Sequence, residues 1–180
     1  MALWGASDAD ESKPKWLTTA EKKTVYATTA GWVHEAWNAD MGNDNTSAQV
    51  EVLACASALT TSLGAADITS LEFVTTSWDA SEGGTFSVLV RWNEAVDVVE
   101  VGSGLKINLT RTPDGGSAAS HTLRYASGTG TNELTFSLAI AGGVAAADTV
   151  FSLLAQNVVK AGATSLKDAG TNTDSAVEIT

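Results

Sequence analysis

Few side chains in this sequence could make or break a covalent bond. The chain has one cysteine, Cys55, and two histidines, His34 and His121, well separated along it. A nucleophilic thiol needs a neighbouring base or positive charge to hold it as thiolate. Cys55 instead sits in the apolar run Val50 to Ala58, where a buried, inert thiol is expected. A lone cysteine also excludes an intrachain disulfide. No GxSxG, HExxH, P-loop or CxxC pattern occurs. Ser127-Gly128-Thr129-Gly130 lacks the strand-to-helix setting of a phosphate loop and reads as a hairpin turn. Catalysis is therefore not expected, nor is a cofactor. Histidine and cysteine are too sparse for zinc. Oxygen ligands are better represented: Asp168, Asn172 and Asp174 are spaced four and two residues apart, and Asp97 and Asp148 could share one end of a β-sandwich. The EF-hand order is absent, and Asp and Asn also make turns, so a structural turn is the first expectation and calcium the second.

Binding chemistry is concentrated at the amino end. Of 6 tryptophans, four fall within the first 37 residues: Trp4, Trp16, Trp32 and Trp37. The others are Trp78 and Trp92. A tryptophan buries up to ~250 Å² and dominates interfaces when it meets a partner. The surrounding segment reads as too polar and irregular to build a core of its own. All four are therefore expected to anchor against another surface; the competing expectation is a clasp folded back on the same chain.

The elements that must position these residues are mostly strands. Thr18-Thr19-Ala20-Glu21 matches a capping box and predicts a short helix to about Val25. Val25 to Thr29 and Gly31-Trp32-Val33 read as extended. Gln49 to Cys55 reads as a strand with Val50, Val52 and Ala54 on one face, and Ala56 to Ala66 as a linker. From Asp67 short alternating runs recur between turn signals. They are Ile68 to Thr75, Thr85 to Trp92, Val96 to Val101 after a kink at Asn93-Glu94-Ala95, Leu105 to Arg111, His121 to Tyr125, Glu133 to Ile140, Val150 to Val159, and an edge strand at Ser175 to Thr180. The expected fold is mainly β: an N-terminal anchoring arm with a small β region over residues 1–60, then an Ig-like β-sandwich of seven to eight strands over residues 67–180.

The 10 basic and 21 acidic side chains leave a net charge of -11. Residues 1–65 hold 4 and 8 of them, residues 66–180 hold 6 and 13. Nucleic acid and anionic membranes are disfavoured as partners by repulsion. No basic, apolar leader marks the start, and no segment approaches the ~20 apolar residues of a membrane span. Synthesis and assembly in the cytoplasm are expected.

Two stretches carry family resemblances. FSVLVRWNEAVDV, KINLTR, HTLRYASGTGTNELTFSLAI and VVKAGATSLKDAGTN resemble bacterial Ig-like repeats of adhesins and surface proteins. That resemblance implies a β-sandwich used as a spacer or binding head, in some members with calcium at acidic loops; here the loop Ala141 to Asp148 keeps one acid. MALWG, SKPK with Leu17 two positions on, GWV and EVL, within residues 1 to about 58, resemble small virion proteins of marine tailed phages, cyanophages in particular. Together they imply a virion structural protein. Its expected form is a capsid decoration or cement protein, present in many copies or as a homo-oligomer, whose tryptophan arm grips the major capsid protein or another virion protein. The alternatives are a neck or tail adaptor or fibre, or a glycan- or calcium-binding host-attachment module, where Trp78 in Ser77-Trp78-Asp79 could serve.

Overall fold

The computed structural model describes residues 13–34, 50–113, 115–144 and 148–179. The protein is mainly β, with a large mixed sheet. Its spine is β5 (Gly83–Val99), 17 residues long. β8 (Thr131–Ala141) runs antiparallel along β5, and β4 (Ile68–Phe73) and β11 (Ser165–Asp168) pair with its two halves. The sheet continues from β8 through β7 (Ala119–Ser127) and β6 (Lys106–Pro113) to β9 (Asp148–Ser152). A separate pair joins β10 (Gln156–Asn157) to β12 (Glu178–Ile179).

Period-2 alternation explains the main core. Phe86, Val88, Val90 and Trp92 of β5 are buried together with Leu105, Ile107 and Leu109, and with Leu123, Leu134, Phe136 and Ile140. The expected kink at 93–95 does not end a strand. Arg91 pairs with Glu133 and Val96 with Thr131, so residues 92–95 bulge opposite Asn132 alone. A bulge of this kind bends a strand and re-aims its side chains. The run 150–159 splits into β9 and β10, and the final strand shrinks to Glu178–Ile179. β11 carries no alternation strong enough to announce it, because one apolar residue, Leu166, makes its core face.

The N-terminal part departs furthest from expectation. α1 (Thr19–Thr24) starts at the anticipated capping box: the Thr18 backbone N–H donates to Glu21 Oε2 at 2.7 Å, and the Glu21 N–H donates to Thr18 Oγ1 at 3.2 Å. β1 (Val25–Thr28) and β2 (Gly31–His34) form a hairpin, and β3 (Glu51–Cys55) adds to β2. The expected linker holds a short helix, α2 (Leu59–Leu63). Val25, Ala27, Trp32 and Leu59 form a second small core, with Leu17, Leu53, Ala54, Ala56 and Leu63 packed on it. The expectation that this segment cannot bury its own apolar groups is thus corrected: the linker supplies Ala56, Leu59 and Leu63 to the core. Ala66 already belongs to the main core.

Candidate interaction surface

β3 is terminal in the strand order β3-β2-β1-β5-β8-β7-β6-β9. No described strand pairs with its outer side. β3 holds to β2 through a register shift between Trp32 and Val33. That shift breaks simple alternation. Leu53 and Ala54 pack on the small core, while Val50 and Val52 stay 40% and 54% exposed. Trp16 is 63% exposed, beside Leu17, which enters the same core. An open strand edge with exposed apolar side chains is a template for pairing with another chain.

The four expected anchors separate. Trp4 and Trp37 lie outside the described residues. Trp16 is exposed. Trp32 does not: it is fully buried in its own chain, in one core with Val25, Ala27 and Leu59. Its expected anchoring role is corrected, because the β1–β2 hairpin folds its ring inward and Leu59 of α2 joins the same core. Its Nε1 finds no acceptor among the described residues. Cys55 is also corrected: it is exposed, at the end of the edge strand opposite Gly31. The apolar run around it misleads because a strand at the rim of a one-sided core leaves its other face to solvent.

The Asp168–Asp174 segment is a turn. Asp168 Oδ1 accepts from the N–H groups of Gly170 and Thr171 at 2.6 and 2.7 Å. Among the described residues no group of three or more His, Cys, Asp or Glu is placed to hold a metal ion. Asp97 stands on β5 opposite Lys167, and the Asp148 side chain lies outside the described residues.

Two further features are not legible in the sequence. An open pocket of about 380 Å³ is lined by Phe73, Thr75, Thr76, Trp78, Phe86 and Phe151. Phe86 is its hub, with ring centroids 5.8 Å from Phe73, 5.7 Å from Trp78 and 5.2 Å from Phe151. Trp78, the aromatic expected to serve a host-attachment module, is half-buried in the loop after β4, and the other three rings come from β4, β5 and β9. The second feature is a pair of buried carboxyls, Glu94 and Asp168, 0% and 1% exposed. Burial first, and then the negative Asp168 and Asp67, push the Glu94 carboxyl up to about 9. A glutamate in a polar-looking NEA kink carries no sign of burial in the sequence.

Fold and surface together define a mainly β protein in which, among the described residues, no strand covers the outer side of β3. No family model, curated protein or solved structure matches the chain.

Proposed function

We propose that this is a non-catalytic virion structural protein, a capsid decoration or cement protein in which the N-terminal unit grips the particle and residues 67–180 form an outward Ig-like sandwich. The observation that carries the reading is the open β3 edge with Val50, Val52 and Trp16 exposed on one unit. It is joined by the resemblance of residues 1 to about 58 to small phage virion proteins. A strand of the major capsid protein, or of another virion protein, adds to β3. Backbone pairing supplies affinity and the exposed apolar groups supply contact area. Many copies then raise the cost of opening the shell, because binding to the assembled state stabilises it.

The test is co-assembly with Trp16→Ala combined with Val52→Lys. A lysine on an edge strand blocks strand addition, and exposed sites of this kind change stability by about 0.5 kcal/mol or less. Loading onto particles is expected to fall at least tenfold while circular dichroism stays unchanged. Full loading of the double variant would rule out the β3 edge. A map of the particle separates shell, with many copies, from neck or tail, with few.

The aromatic pocket favours a second reading, a host-attachment module that stacks a sugar ring on Trp78. Its volume and aromatic lining match small-ligand sites. On a glycan array the wild type then binds a discrete set of sugars and Trp78→Ala loses at least tenfold of that signal. A blank array removes this reading and leaves the first untouched.

A further inference from the structure

The bulge at 92–95 of β5 is where the two cores meet. Glu94 pairs in parallel with Ala27 of β1. The Asp67 N–H donates to Asn93 Oδ1 at 2.7 Å, and the Asn93 N–H to the Asp67 carbonyl at 2.8 Å. From the other side, the Ala169 N–H donates to the Ala95 carbonyl at 3.0 Å. The loop after β11 reaches the N-terminal unit: a Cβ on Gly170 would lie 3.0 Å from Thr60 Cβ, and Thr171 Oγ1 donates to the Gly64 carbonyl at 3.4 Å.

Into this seam the fold puts two acids. Glu94 Oε1 and Oε2 and Asp168 Oδ2 are all buried with no hydrogen-bond partner among the described residues. As carboxylates they can only accept, and an unpaired buried charge is costly. The one cation on β5, Arg91, is taken by Glu72, at 2.6 Å from Nη1, and by Glu133. On the neighbouring elements, Lys167 of β11 stands opposite Asp97. His34 of β2 meets Thr24 Oγ1 at 2.8 Å, and Lys13 Nζ donates to the Lys22 carbonyl. Tyr26 of β1 alternates with Val25 and Ala27, which fill the small core. Asp67, ahead of β4, adds a further negative charge. α2 carries no charged residue. Among the described residues nothing positive answers the pair, so one proton must: a protonated Glu94 becomes a donor to Asp168.

We propose that the Glu94–Asp168 pair is a proton-held latch that docks the β1–β3 unit onto the main sheet and loosens as pH rises. The proposal does not depend on what β3 binds. Its sign follows from linkage. Glu94 is raised from the ordinary 4.5 to about 9. Glu94 pairs with Ala27 of β1, so parting β1 from β5 uncovers it, and on that premise the docked state holds a proton that the open state releases. The latch is at full strength below about pH 4.5, weakens between there and about pH 9, and is spent above. Over that window the opening equilibrium rises up to about tenfold per pH unit.

Amide exchange of β1–β3, corrected for its intrinsic pH dependence and measured from pH ~5 to ~10, tests this on the full chain. The wild type is expected to lose protection in the N-terminal unit with that slope and to level off above about pH 9. Glu94→Gln keeps a donor toward Asp168 at every pH, so its slope vanishes. Asp168→Asn keeps the Oδ1 turn contacts and offers Glu94 a donor, so the slope moves to lower pH. A flat wild-type profile, or an unchanged slope in both variants, overturns the latch. So does a calcium-dependent gain of protection that Glu94→Gln abolishes, since a cation would then fill the proton's place.

Discussion

Replacing Trp92 with alanine is expected to destabilise the protein by about 3–5 kcal/mol, the cost of deleting a large buried aromatic. Trp92 is fully buried in the main core, opposite Ile68 on β4. Its Nε1–H donates to the Ala176 carbonyl at 3.1 Å. The substitution therefore opens a cavity and also leaves a carbonyl without its donor. That hydrogen bond ties the C-terminal segment to the bulge of β5, so the loss reaches beyond the ring's own contacts. Trp92→Phe keeps most of the volume and is expected to cost about 1–3 kcal/mol, chiefly the unsatisfied carbonyl. Urea unfolding followed by circular dichroism checks both. The midpoint should fall while the slope is unchanged, since the surface exposed on unfolding is the same. A loss below about 1 kcal/mol for the alanine variant would mean that the core collapses onto the gap, against the close packing of such interiors.

The second large effect is expected at Gly31. Its φ is +140°, a region L side chains rarely adopt. A Cβ there would overlap the Ala54 carbonyl oxygen and lie 2.8 Å from the Ala56 nitrogen. Both are backbone atoms at the β3 pairing and cannot swing aside. Gly31→Ala must therefore part β2 from β3, which also strains the Ala56 N–H to Ala30 carbonyl bond of 3.0 Å. The cost is expected to exceed the strain alone and reach about 3 kcal/mol or more. It should fall on the N-terminal unit, with amide protection lost in β1–β3 and retained in β5 and β8. Particle loading should fail with it if β3 is the docking strand. Gly102→Ala is the control: φ is +61° but no atom lies within 4 Å, so only a backbone penalty of about 1–2 kcal/mol applies. Equal protection losses in both variants would show that the close approach of β3 carries no weight.

Much of this architecture was legible in the chain. The capping box at Thr18–Glu21 marked α1, and the alternation of Phe86 to Trp92, Leu105 to Leu109 and Leu134 to Ile140 marked the core faces correctly. These signals are local, a matter of which residues repeat at what spacing. The misreadings have one cause. The linker at 56–66, the outward role given to Trp32 and the inward role given to Cys55 each depended on which segment packs where, and no repeat encodes that. β11 stayed hidden because its partner strand, not its own composition, makes it a strand.

By itself the sequence determined the β character, the buried faces of the strands where apolar and polar residues alternate, the acidic balance, and the crowding of tryptophans at the amino end. Tertiary structure alone decided that β3 ends the order of described strands, that Trp32 seals its own small core, that four aromatic rings line a pocket, and that Glu94 and Asp168 are both buried. Strand formation is written in neighbours along the chain. Edges, pockets and buried charges arise from residues far apart in it, and they exist only once long-range pairing has chosen who stands beside whom.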